Sequence, residues 1–267
     1  MSISRVIFLC SSLIAFSAGT TLRSNIPTSS PSSVAKYGEG SFIVSLRKDN
    51  KHFCAGALIL PRWVVTAANC LFHSSFEVGA GLQSPEPESA SQIRHIVSEE
   101  YYLRHENFNP NADADDIGII YIEEPFELVA LGNPAPVSVI LLPSHQQIGE
   151  GKLFGWHLID SADFTNELQV LDVKITNNTE CQASMSAQAP LLKKQSCAYK
   201  NETLDTVCPT EGGNSIVQYT RSGPVLVGLE SWASDSCKNK ANATVFTQIS
   251  DYRIWIIESI LNFGLKK

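Results

Sequence analysis

The side chains with chemistry to offer are few: seven cysteines, six histidines and a short acidic run from Asp113 to Asp116. Nucleophilic hydrolysis needs a hydroxyl or thiol beside an imidazole, and a carboxylate to orient that imidazole. Metal chemistry needs Cys, His, Asp or Glu in close-set clusters. The cysteines form no CxxC pair and stand beside no histidine cluster, so zinc is not expected. Cys10 falls in an N-terminal leader. The other cysteines are Cys54, Cys70, Cys181, Cys197, Cys208 and Cys237, an even set that reads as disulfides in an oxidising compartment. Asp113 and Asp115 read as a solvated acidic turn. His52, His73, His95, His105, His145 and His157 read as surface or hydrogen-bonded histidines.

The elements that must position these groups begin after the leader. Arg5, the apolar run from Val6 to Phe16 and the small residues Ser17 to Gly19 have the form of a secretory signal peptide over residues 1–19. Residues 20–37 are rich in Ser, Thr and Pro and read as a mobile arm. From there the chain is a series of short β-branched and aromatic runs divided by turn residues, several alternating in polarity. Examples are "SFIVSL", "HFCAGALIL", "RWVVTA", "SQIRHIVS", "IGIIYI", "KLFGW", "ELQVLDVKI", "SIVQY", "PVLVGLESW" and "TVFTQI". That spacing predicts an all-β sandwich or barrel pair. One segment breaks the pattern. Tyr252, Trp255, Ile256, Ser259, Ile260 and Phe263 recur at helical spacing, with Ser250 or Asp251 as the expected N-cap.

A net charge of −7 with no long Lys/Arg run argues against a nucleic-acid partner. No segment is long and apolar enough to predict a membrane span. Asn177, Asn201 and Asn242 each open an N-x-Thr triplet that can carry a glycan.

Several stretches together resemble the chymotrypsin-like (trypsin) serine proteases, from about Gly40 to Ile260. "FCAGALILPRWVVTAANC" resembles the segment around the family's catalytic histidine, and "DIGIIYIEEPF" the strand holding its aspartate. "GEGKLFGW" is similar to the Gly-Trp turn, "GPVLVGLESWASDSC" to the strand lining the cleft, and "YRIWIIESI" to the terminal helix. The resemblance implies two packed six-stranded antiparallel β-barrels with a C-terminal α-helix. The first barrel would span 38–125, a connection 126–142, and the second barrel with its helix 143–267. It also implies the bridges Cys54–Cys70, Cys181–Cys197 and Cys208–Cys237, each closing a short loop whose entropy is worth roughly 3–4 kcal/mol.

At the positions where the family keeps its chemistry, this sequence departs from it. Asn69 stands where the histidine should be, and an amide is neither a useful base nor an acid near neutral pH. Gly212 stands where the nucleophilic serine should be, with Ser215 three residues beyond. Asp116 matches the third position and, with no imidazole to orient, reads as a partly buried carboxylate accepting backbone or Asn69 amide hydrogen bonds. Thr210 replaces the oxyanion glycine, whose backbone freedom a β-branched residue lacks. Glu211 replaces the aspartate that pairs with the N-terminus created by activation cleavage. No basic residue followed by an Ile-Val-like start occurs around residues 26–32. Thr206 at the expected pocket floor supplies no carboxylate, while Ser231, Trp232 and Ala233 form the expected cleft wall, Ala233 replacing a glycine. For template enzymes of this kind, loss of serine or histidine costs on the order of 10⁶ in turnover.

The sequence therefore predicts a secreted, catalytically inactive protease homologue that binds an extracellular protein partner as cofactor, decoy or regulator of proteolysis or immunity. No cofactor, nucleic acid or membrane is expected, and no oligomeric state is assigned. An active endopeptidase with an atypical site, and an antimicrobial or glycan-binding module on the same scaffold, are the alternatives.

Overall fold

The computed structural model describes residues 33–82, 91–133, 135–156, 167–184, 191–200, 211–233 and 243–264. A first strand, β1 (Ser33–Val34), lies within the stretch expected to be a mobile arm and pairs with the second sheet described below. Next come β2 (Ile43–Lys48), β3 (Lys51–Leu60), β4 (Trp63–Thr66), β5 (Phe76–Ala80), β6 (Gln92–Ile96), β7 (Tyr102–Arg104) and β8 (Gly118–Tyr121). They form one antiparallel sheet in the order β6-β5-β2-β3-β4-β8-β7. It holds the six expected strands plus the three-residue β7. The β2–β3 hairpin turns on Asp49 and Asn50, both at positive φ, the geometry that matches the twist of the flanking strands.

The second sheet contains β9 (Gly149–Gly155), β10 (Gln169–Ile175), β11 (Gln195–Lys200), β12 (Ser215–Thr220), β13 (Gly223–Ala233) and β14 (Ala243–Gln248). β9 pairs with both β10 and β12, so these six strands close into a ring, with β1 attached to β10. A short helix, α1 (Asn178–Ser184), leads toward β11, and α2 (Ile249–Gly264) ends the described chain. α2 starts just before Ser250 and Asp251, so both expected cap residues sit in its first turn.

Alternation fills the interiors. Val44, Leu58, Val64 and Ile120 pack inside the first sheet, and Leu153, Leu171, Val227 and Phe246 inside the second. A third cluster spans both, joining Ala55, Trp63 and Ile119 to Phe154, Trp156 and Leu226. Tyr252 and Ile256 bury one face of α2 in this shared core, and Phe263 sets its ring edge-on to Trp63 at 5.2 Å.

A polar clamp adds to that seam. Asp115 Oδ1 accepts from Lys194 Nζ at 2.7 Å and from the Tyr252 hydroxyl at 2.8 Å, while Gln195 Nε2 donates to the Asp113 carbonyl at 2.9 Å. The turn expected to be merely solvated is thus a tie between the sheets. Lys194 and Tyr252 hold the Asp115 carboxyl below its ordinary pKa, outweighing partial burial, the largest single influence, which acts the other way. Because Lys194 is partly exposed, Lys194→Gln should cost only about 1 kcal/mol. Thermal unfolding monitored by circular dichroism should show a Tm lower by about 2–4 °C.

Candidate functional site

Four segments separate in sequence meet where the sheets adjoin. Asn69 lies in a 3-10 turn, Ala68–Cys70, directly after β4. The Cys54–Cys70 disulfide fastens that turn to β3. Asp116 precedes β8, on a turn whose Asp113 and Asp115 take positive φ. Gly212 and Gly213 precede β12, and Ser231 lies on β13.

These segments share one hydrogen-bond network. The Asn69 backbone N–H donates to Asp116 Oδ1 at 2.8 Å, and the Asn69 side-chain amide donates to Asp116 Oδ2 at 2.9 Å. The same amide nitrogen donates to the Ser231 carbonyl at 3.1 Å, and the Ser231 hydroxyl donates to Asp116 Oδ2. Asp116 is fully buried. Burial pushes its pKa up to about 6 even though Ser231 and Asn69 donate to it. The amide thus satisfies the carboxylate without offering a proton acceptor of imidazole basicity.

The other end of the same side chain closes the gap opposite. A Cβ on Gly212 would lie 2.5 Å from Asn69 Oδ1, well inside contact distance. Asn69 therefore occupies the room that a side chain at 212 would need. Gly213 follows at φ +79, with its N–H donating to the Glu230 carbonyl at 2.9 Å. Any Cβ there would collide with the Ala55 carbonyl oxygen, so only glycine fits.

Glu211 is held by an imidazole. Its Oε2 lies 2.6 Å from His52 Nε2, and His52 Nδ1 lies 2.8 Å from Ser45 Oγ. The His52 ring packs on Trp156 with centroids 4.8 Å apart. Beside this pair, Asn214 Nδ2 donates both to the Glu211 carbonyl and to Glu230 Oε2, the latter at 2.8 Å. Glu230 also accepts from the Thr244 hydroxyl. It is wholly buried with no cation beside it among the described residues, and burial raises its pKa to about 8, so it is mostly neutral at pH 7.

The other described histidines are engaged elsewhere. His73 contacts Lys48 and Phe53, His95 contacts Glu77, His105 packs between Tyr252 and Trp255, and His145 contacts Ser144. His157 lies outside the described residues.

The sequence-derived positions Asn69, Asp116, Gly212 and Ser231 are therefore brought together. Trp232 packs against the cluster containing the Cys181–Cys197 bridge, and Ala233 pairs with Thr244 at the end of β13. Thr206, Thr210, Cys208, Cys237, Asn201 and Asn242 lie outside the described residues, as does the expected activation region. Asn177 Oδ1 accepts from Glu180 N at 2.8 Å, capping α1 and leaving the amide nitrogen, where a glycan would attach, out of that bond. Sequence reasoning missed Glu230 and the assignment of His52 to Glu211. A charged residue inside the apolar run "PVLVGLESW" was the available signal for the first. Among the described residues no group of metal-ligating side chains is assembled, and no helix is long and apolar enough to cross a membrane.

Comparison with known proteins agrees with this fold. The family model Trypsin matches residues 31–256. Over 234 residues the chain is 38% identical to Lectizyme of Glossina austeni, covering 86% of this chain and 85% of that one. It is 29% identical to Trypsin of Xenopus laevis over 82% of this chain and 85% of that protein. It is 28% identical to Coagulation factor XII of Bos taurus over 84% of this chain and 38% of the larger protein. With two antiparallel β-sheets, a C-terminal helix and a family match over most of its length, this chain belongs to the trypsin family of serine proteases.

Proposed function

We propose that the chain is a secreted trypsin-family homologue that cleaves no peptide and works by binding a protein partner outside the cell. One observation carries this reading: the Asn69 side chain spans from Asp116 to the space above Gly212. Hydrolysis by this scaffold needs a base that cycles a proton and a nucleophile within its reach. Here the amide replaces the base and fills the nucleophile's place. The paired cysteines support an oxidising, extracellular setting. Cofactor, decoy or regulator of extracellular proteolysis or immunity are the roles such a binder would fill.

The test is chemical. Purified full-length chain should take up no fluorophosphonate probe and turn over no peptide ester. Labelling of a defined serine, with turnover lost when that serine is replaced, would establish the endopeptidase reading instead. Gly212→Ser alone should also stay unlabelled, because no base stands at position 69 to activate it, and its Cβ would crowd Asn69 Oδ1. Overpacking of this kind costs about 1–3 kcal/mol, readable as a lower urea midpoint.

A further inference from the structure

Outside the network around Asp116, a groove of about 730 Å³ runs between the segment Glu99–Glu106 and the outer side of α2. Its volume falls within the range of about 300–1,000 Å³ typical of ligand sites. Glu99, Glu100 and Glu106 line one side and Glu258 the other, and among the described residues no Lys, Arg or His lines it. Nearby Arg104 stacks over Phe72 at 5.1 Å, and His105 is buried against Tyr252 and Trp255.

Trp255 and Phe263 supply aromatic surface in the groove, and the Trp255 indole N–H is fixed by Glu106 Oε2 at 2.9 Å. Ser259 lines it too. This residue is only 9% exposed, and no hydrogen bond is made by its hydroxyl among the described residues. A hydroxyl at the wall of a groove is a place for a ligand's polar group.

We infer that this groove binds a basic, partly apolar peptide segment of a partner protein, its Lys or Arg side chains paired with the glutamates. The carboxylates are spread along the groove and do not converge into a metal-ligating cluster, so a single small cation would satisfy only part of them. Two or more cations joined by a short apolar backbone match the whole. Arg or Lys heads gain further from the faces of Trp255 and Phe263. The Ser259 hydroxyl serves a backbone carbonyl of the segment. The chain's net charge of −7 favours approach of such a partner over long range.

This surface deepens the binding role proposed above and rests on it, yet the two fail separately, since probe labelling decides the first and peptide binding the second. The test is fluorescence polarisation with the intact chain and a short fluorescein-labelled peptide alternating Arg with Leu. A counterpart with Glu in place of Arg serves as control. The Arg peptide should bind, more weakly as salt rises, and the Glu peptide should not. Glu100→Lys with Glu258→Lys should lower affinity at least about tenfold with unchanged circular dichroism. Ser259→Ala should lower it about fivefold, the loss of one hydrogen bond.

Equal binding by the charge-reversed chain, or binding of the Glu peptide, would overturn the inference. So would calcium chloride displacing the peptide at concentrations too low to screen charge, which would mark a cation site. A chain lacking Lys266 and Lys267 should bind as the full chain does. Binding that appears only in that truncated chain would assign the groove to its own C-terminus instead.

Discussion

Asp116→Ala should be among the most destabilising single changes this chain can suffer, lowering its stability by roughly 3–5 kcal/mol. The carboxylate accepts from the Asn69 backbone, the Asn69 amide and the Ser231 hydroxyl inside a buried site. Alanine strands those donors away from water, at about 1–3 kcal/mol for each one left unsatisfied. Asp116→Asn keeps an acceptor for one donor and lets Ser231 rotate, so it should cost distinctly less. The pH dependence has a definite sign. With the pKa raised by burial from 3.8 to about 6, the stabilising effect of protonation is complete below about 3.8 and lost as pH rises through about 6. The gap between wild type and the alanine variant should therefore narrow over that range. Urea midpoints at a series of pH values measure both effects, and equal losses for the alanine and asparagine variants would contradict the network.

Glu230→Gln should act in the opposite direction at alkaline pH. The folded carboxyl titrates at about 8 against 4.5 unfolded, because burial in the second sheet penalises the charge. Its stabilising protonation is complete below about 4.5 and lost as pH rises through about 8. The full swing is roughly 4–5 kcal/mol. Glutamine is neutral at every pH and can keep both contacts, its oxygen accepting from Asn214 and its amide donating to Thr244. The variant should match the wild type near pH 5 and exceed it by up to about 4 kcal/mol near pH 9. Parallel stability curves for the two proteins would show that Glu230 is not the group responsible.

The parts legible in the sequence were those where local pattern and tertiary role coincide. β3, β4 and β8 are apolar runs bounded by turns, and they pair as buried strands should. β11, "QSCAYK", escaped notice because its Gln195 and Ser196 are polar by composition yet buried by the closure of the barrel. β5, "FEVGA", is short and carries a glycine that weakens the strand signal. At the site, residue identities at 69, 116 and 212 were readable. So was the bond from the Asn69 amide to Asp116. The part played by Ser231, 162 positions away, was not. The tie through Asp115 depends equally on Lys194 and Tyr252, and no local pattern around "DADAD" announces either. The groove along α2 is likewise built by residues from opposite ends of the chain.

The crowding between Asn69 and Gly212 has a historical consequence, since it makes the order of substitutions matter. A serine introduced at 212 while asparagine holds 69 meets an occupied space and breaks a buried network. The same serine does not once position 69 carries a side chain that leaves that space free. Mutational paths between a chain of this kind and one with a side chain at 212 are therefore directional. Passing through 69 first avoids the contact, and a side chain at 212 carries its cost for as long as Asn69 keeps its grip on Asp116.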